Sequence, residues 1–262
     1  MTAVETVIGS KITEGKTKVL YAATDRQDAG RPGAGGDLAY MVHKDQITAG
    51  DGERRDMIPG KGALSCRTTS QVFRYLAGQG IPTHFVEMID DRTMLVRRAH
   101  MIPIEWVARR VAAGSYVKRT GVIEGTRFDE PILELFLKDD ARHDPQISIE
   151  EAAETGLCTM PEVQLALDIT LRVFLALEEA WKLQDIQLVD LKIEFGRSSE
   201  RLLVADVVDN DSWRLWPGGK RAEQLDKQVY RDLQTRDSDA LDGVRNRYEE
   251  VARRVEAFGC GD

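Results

Sequence analysis

Cysteine is scarce: the 262 residues hold three, Cys66, Cys158 and Cys260, far apart in sequence. They form no CxxC pair, and an odd number leaves one unpaired. Neither a disulfide framework nor a zinc site is expected, and reduced thiols fit better. The four histidines, His43, His84, His100 and His143, show no HxxxH spacing and offer no ligand set. No G-x-S-x-G elbow occurs, which speaks against acyl-enzyme chemistry. No apolar run approaches the roughly 20 residues that span a bilayer. Residues 1–15 carry Glu5 and Glu14 and lack the basic-then-apolar order of a signal sequence. A cytoplasmic protein is expected.

Excess positive charge is also lacking. Lys plus Arg total 36 against 44 Asp plus Glu, a net charge of −8. That balance argues against nucleic acid, because phosphate backbones reward clustered Lys and Arg. With 42% hydrophobic and 31% charged residues the chain is too apolar to stay disordered. At about 150 residues per domain it holds one large domain or two lobes. The charge is uneven, however. Residues 92–127 carry eight bases (Arg92, Arg97, Arg98, Arg109, Arg110, Lys118, Arg119, Arg127) and two acids (Glu105, Glu124), or +6. Residues 129–162 carry ten acids and two bases, or −8. A basic island in an acidic chain is a candidate anion site.

Periodicity sets the coarse plan. Residues 18–23 and 38–43 are apolar and β-leaning, joined by a glycine-rich stretch at 26–37, and read as an antiparallel hairpin. Residues 61–77 have helical spacing ended by Gly78 and Gly80. Residues 82–89 and 93–97 read as strands around an Asp90-Asp91 turn. Further on, Pro161 opens a helix whose apolar face includes Val163, Leu167, Leu171, Phe174, Leu175, Leu177 and Trp181. Two strands follow, at 187–195 and 201–208, and a helix closes the chain over 242–258. Antiparallel strands without a βαβα rhythm point to an α+β protein in two lobes, residues 1–100 and 101–262.

Three segments could carry chemistry. Gly15-Lys-Thr-Lys18 precedes a strand rather than a helix, so it is no P-loop. A glycine-containing β-turn with lysines can still cover phosphates. In Asp190-Leu-Lys192-Ile-Glu194 the polar residues fall two apart and share one face of a strand. Asp206 ends the neighbouring strand. Carboxylates on adjacent strands suit Mg²⁺, which takes oxygen ligands and leaves places for phosphates; a solvated charged face would show the same pattern. In Glu105-Trp-Val-Ala-Arg109, followed by Gly114-Ser115, a guanidinium beside a Gly-Ser turn could grip a phosphate. Arg214 lies isolated between Trp213 and Leu215-Trp216.

Together these segments resemble the SAICAR synthetase family. The resemblance runs from about Lys11 to Arg254. It rests on Glu14-Gly-Lys-Thr-Lys18, Lys44-Asp-Gln-Ile-Thr-Ala-Gly-Asp51, Met101-Ile-Pro-Ile-Glu105 with Arg109 and Gly114-Ser115, and Lys138-Asp-Asp140 with His143-Asp-Pro145. It continues through Leu188-Val-Asp-Leu-Lys-Ile-Glu-Phe-Gly196 and the stretch from Asp206 to Trp216. Asp209-Asn-Asp-Ser-Trp-Arg-Leu-Trp-Pro217 resembles the animal-type branch, which is fused to a carboxylase domain. The expectation is a synthetase without that domain.

The resemblance implies an α+β fold with a small antiparallel lobe, a larger α+β lobe and ATP in the cleft between them. It implies an ATP-dependent carbon–nitrogen ligase of de novo purine synthesis. Such an enzyme joins 5-amino-1-(5-phosphoribosyl)imidazole-4-carboxylate (CAIR) to L-aspartate, giving SAICAR, ADP and phosphate through an acyl phosphate. It further implies roles. Gly15, Lys16 and Lys18 cover the ATP phosphates, and Arg97, His100 and Met101 lie in the connection against adenine. Glu194 and Asp206 hold Mg²⁺. Lys192 stands by the reacting groups and Asp211 supports them. Asp51 faces the substrate, and Arg109, Ser115 and Arg214 hold the CAIR phosphate. Lys138, Asp140 and Asp144 are candidates for aspartate. The expected partners are these small molecules, with no nucleic acid and no membrane, and the subunit number stays open. A two-lobed small-molecule kinase or an inactive nucleotide-binding regulator would share part of this pattern.

Overall fold

A computed structural model describes residues 9–23, 37–50, 52–198 and 201–259. Five strands, β1 (Lys11–Glu14), β2 (Lys18–Ala22), β3 (Leu38–His43), β4 (Gln46–Ala49) and β5 (Arg54–Met57), precede helix α1 (Lys61–Gly78). Then come β6 (Phe85–Met88), β7 (Thr93–Arg97), the long β8 (His100–Val111) and the short helix α2 (Ser115–Thr120). β9 (Arg127–Leu137) and β10 (Gln146–Ile147) lead to α3 (Ile149–Glu154) and α4 (Met160–Lys182). β11 (Ile186–Ser198), β12 (Arg201–Ala205), β13 (Trp213–Pro217), α5 (Gln228–Asp232) and α6 (Ser238–Arg254) complete the order.

Two antiparallel sheets organise these elements. The first has the order β1-β2-β3-β7-β6. The second has the order β10-β9-β8-β11-β12, with β13 paired to the far end of β11. Hairpin β4-β5 stands apart from both. The α+β class expected from the sequence holds. The 18–23 and 38–43 runs do pair, Lys18 opposite His43 and Ala22 opposite Ala39. The glycine-rich stretch between them falls outside the described residues except for Asp37.

Local chemistry accounts for the main helix. Thr159 accepts from the Glu162 amide while the Glu162 carboxylate accepts from the Thr159 amide, so the first turn closes on itself. Val163, Ala166, Val173, Phe174, Leu177 and Trp181 then bury one stripe. Leu175 was expected on that stripe but lies exposed, because it falls on the opposite side of the helical repeat. The stripe packs on β11 and β8, where Trp106 meets Phe195 edge-on at 5.5 Å.

One buried cluster runs through both sheets, from Met41, Phe73 and Met94 to Trp106, Phe174 and Trp181. α6 packs on α1, so the closing helix rests on the first part of the chain. Among the described residues no helix is long and apolar enough to cross a membrane.

Candidate active site

β11 is the central strand of the second sheet, flanked by β8, β12 and β13. Its polar face is not a solvated face. Asp190 and Glu194 are both buried, and Lys192 between them is half-buried. Burying a carboxylate is costly unless a cation meets it. Each has found one, and the two sets of partners define two ends of a site.

At one end Glu194 and Asp206 converge. Glu194 stands opposite Ala205 across the β11-β12 ladder, one residue from Asp206. Lys138 donates to both Glu194 oxygens, at 2.7 and 2.8 Å, and Lys192 to one, at 2.9 Å. Lys192 also lies 3.4 Å from Glu105. Lys18, from the first sheet, is ion-paired with Asp206. Burial opposes ionisation of Glu194, but Lys192 and Lys138 outweigh it and hold the carboxyl below its usual range. Burial opposes ionisation of Asp206 too, and Lys18 and Lys192 reverse the balance. Burial would discharge Lys192, but Glu194, Glu105 and Asp206 keep it charged to well above the normal lysine range.

At the other end Asp190 meets two guanidinium groups. It lies opposite Arg109 on β8 and Arg214 on β13, and both guanidinium groups bond its Oδ2. Arg109 also binds Glu134 at 3.0 and 3.1 Å. Gly114 has φ +59°, and a Cβ there would lie 2.2 Å from Arg214 Nη2. Glycine is therefore what lets the guanidinium lie against the backbone ahead of α2. Outside this contact opens a cavity of about 790 Å³, lined by Ser115, Lys118, Arg214, Trp216, Arg54 and Arg231 among others.

The expected residues fall into these places unevenly. The Gly15 amide donates to the Lys18 carbonyl at 2.9 Å, closing the turn, and Lys16 reaches Asp140 at 3.2 Å. The Arg97 guanidinium bonds the Phe85 carbonyl at 3.3 Å. His100 and Met101 open β8 opposite Arg197 and Gly196. Ser115 and Arg214 line the cavity. Arg109 does not: its side chain is 3% exposed and enclosed by Glu134 and Asp190. Asp211 is likewise occupied, by Lys227 at 2.9 Å and by Tyr248. Asp51 lies outside the described residues. Of the aspartate candidates, Lys138 sits on Glu194, Asp140 on Lys16, and Asp144 accepts the Asp139 amide at 2.7 Å.

The basic island is largely spent on structure. Arg109 and Arg119 meet Glu134, while Arg110 and Arg127 meet Glu178. β8 and β9 pair antiparallel, which brings Arg109 to Glu134, while Glu178 comes from α4. Of the eight bases only Lys118 lines the cavity. The cavity's other cations, Arg54, Arg214, Arg221 and Arg231, come from remote segments. No spacing in the sequence brings Arg54 and Arg231 together. The polar alternation of Asp190, Lys192 and Glu194 was a usable signal for the rest.

The SAICAR synthetase family profile matches residues 11–249. The chain belongs to the SAICAR synthetase family. It is 55% identical to the phosphoribosylaminoimidazole-succinocarboxamide synthase of Roseiflexus castenholzii over 96% of this chain and 98% of that protein. It is 46% identical to the Multifunctional protein ADE2 of Gallus gallus over 97% of this chain and 60% of that protein. Among solved structures, the synthase of Ehrlichia chaffeensis superimposes with a TM-score of 0.82 at 32% identity, covering 95% of this chain and 99% of that one. A SAICAR synthetase in complex with ADP gives 0.81, also at 32% identity, covering 94% and 97%. As a SAICAR synthetase family member the chain is a carbon–nitrogen ligase of purine biosynthesis that uses a nucleotide.

Proposed function

We propose that the two ends of the polar face of β11 serve the two anions of the ligase reaction. The observation that carries this is the placement of Asp190, Lys192 and Glu194 at alternate positions of one buried strand. Alternate residues are about 6.6 Å apart, so Asp190 and Glu194 stand roughly 13 Å from each other. The Arg214–Ser115 cavity at one end receives the CAIR 5′-phosphate. The Glu194–Asp206 end receives the ATP phosphates beneath the turn that carries Gly15, Lys16 and Lys18. Lys192, midway, lies against the CAIR carboxylate and the transferring phosphoryl group. Asp190 holds Arg214 in place, and Arg109 neutralises Asp190 from behind. Asp51 is kept as a substrate-side contact, Asp211 as a support, and Arg97, His100 and Met101 as the connection against adenine.

Mg²⁺ fits this donor set. Glu194 and Asp206 are oxygen donors held ionised, and Mg²⁺ commonly takes one or two carboxylates plus phosphates. These two residues would hold it, and it would neutralise charge on the nucleotide phosphates. The protein's own part is positional. The CAIR carboxylate is a poor electrophile because its oxygen leaves badly. Phosphoryl transfer onto it gives an acyl phosphate, the neutral amine of aspartate attacks the carbonyl carbon, and phosphate departs. Such chemistry calls for alignment and charge neutralisation rather than a protein nucleophile. Burial of Cys66, which pushes its thiol up to about 12, suits that reading.

We read the chain as two lobes meeting near residue 100, with the active site where Lys18 of the first reaches Asp206 of the second. The unpaired buried Cys66 and Cys158 agree with a cytoplasmic enzyme. The test is Arg214→Ala. Losing a charge-assisted contact should raise the KM for CAIR by about 10- to 100-fold with little change in the KM for ATP. A rise confined to ATP would place the phosphate site elsewhere.

A further inference from the structure

Asp206 is one of four residues other than glycine with positive φ among those described, at +67°. An L residue pays for that conformation, and it persists where the surroundings hold it. Aspartate tolerates it better than most residues, but still at a cost. The support comes from the other sheet. The segment leading into β6 runs beside β12: the Val204 amide donates to the Pro82 carbonyl at 3.0 Å, and the His84 amide to the Val204 carbonyl at 2.9 Å. The His84 side chain then reaches two residues further, where Nε2 lies 3.1 Å from the Asp206 carbonyl oxygen.

A carbonyl oxygen only accepts, so His84 Nε2 carries the proton. The ring is buried and held edge-on against Phe73, with centroids 5.4 Å apart. The His84 carbonyl in turn accepts the Arg97 amide at 2.7 Å, which ties the ring's backbone to β7.

We propose that His84 is a positioning residue, whose Nε2–H bond to the Asp206 carbonyl holds Asp206 in its left-handed conformation with the carboxylate against Lys18 and near Glu194. The first sheet then contributes to the nucleotide end of the site twice, through Lys18 on the carboxylate and through His84 on the backbone. This rests on the reading that Asp206 serves the metal-bound nucleotide.

The test compares His84→Leu, which fills space without a donor, with His84→Gln, whose amide N–H can stand in for Nε2–H. ADP binding to the full chain is measured by calorimetry with and without Mg²⁺. For His84→Leu the Mg²⁺-dependent ADP affinity should fall about tenfold, the worth of one hydrogen bond. Metal-free ADP affinity should be unchanged, and His84→Gln should recover most of the loss. Equal loss with and without Mg²⁺, or no rescue by Gln, overturns the proposal. Asp206→Asn is measured in parallel. If it keeps full Mg²⁺-dependent affinity, the metal reading falls and the proposal with it. If it loses that affinity while His84→Leu keeps it, only the positioning role falls. Should His84→Leu not fold, the ¹⁵N shifts of the wild-type ring still decide: the Nε2–H tautomer is required, and an Nδ1–H tautomer contradicts it.

Discussion

Lys18 on β2 and Asp206 just beyond β12 form an ion pair that joins the two sheets. Both side chains are mostly buried, at 18% and 15% exposure, so water screens the pair little. A charged lysine from the first sheet thus meets a carboxylate that Lys192 also helps to keep ionised. Asp206→Asn keeps the shape and removes the charge. Turnover should fall by about 10²- to 10³-fold, the usual cost of one group that stabilises charge at the reacting centre. The far-ultraviolet circular dichroism should stay as in the wild type. Near-normal turnover would remove Asp206 from the site.

Gly114 and Arg214 make a second linked pair. A Cβ on Gly114 would lie 2.8 Å from Arg214 Cζ as well as against Nη2, and the φ of +59° adds backbone strain. The flexible guanidinium would yield first and leave Asp190. Gly114→Ala should therefore behave as a partial Arg214 loss, raising the KM for CAIR about tenfold while the KM for ATP holds. Unchanged CAIR kinetics would show that Arg214 can serve from another position.

Arg109 carries a different expectation from the one its motif suggested. It is sealed between Glu134 and Asp190, so removing it leaves buried carboxylates short of a cation. Arg109→Met should destabilise the fold by about 3–5 kcal/mol. In a chain of this size that lowers Tm by about 5–10 °C. A variant with normal Tm and a raised CAIR KM would instead mean that Arg109 touches substrate.

His43 supplies a pH test of the core. It is buried, its Nδ1 lies 3.0 Å from Ser65 Oγ, and burial together with Lys18 and Lys61 pushes its pKa down to about 3. An exposed histidine in the unfolded chain titrates near 6.5. Between those values the unfolded state binds the extra proton, so stability rises with pH in that window and is lost as pH falls. The contribution to the slope approaches about 1.4 kcal/mol per pH unit for one proton. His43→Asn should remove that part of the slope between about pH 6 and pH 4, whatever it does to stability at pH 7. An unchanged slope in urea titrations would mean that His43 is charged in the folded protein.

The sheet-forming runs and the long helices were legible because they follow period-2 and period-3.6 patterns over many residues. The Asp190–Lys192–Glu194 face was legible for the same reason. Its burial was not, because that depends on β8, β12 and β13 closing around β11. Arg109 was assigned to the substrate because a guanidinium near a Gly-Ser turn suits phosphate equally well inside or outside the core. Only the register that sets it opposite Asp190 distinguishes the two. Lys138 on Glu194 and His84 on the Asp206 carbonyl join residues 56 and 122 apart in sequence. No local spacing encodes contacts of that range.

The central claim is that the site completes a ligation rather than stopping at phosphoryl transfer. Purified protein is incubated with ATP, Mg²⁺ and CAIR, with and without L-aspartate, and ADP and SAICAR are quantified together. ADP and SAICAR are expected in equal amounts, both dependent on aspartate. ADP released with CAIR, and no SAICAR on adding aspartate, would contradict the ligase account and favour a small-molecule kinase.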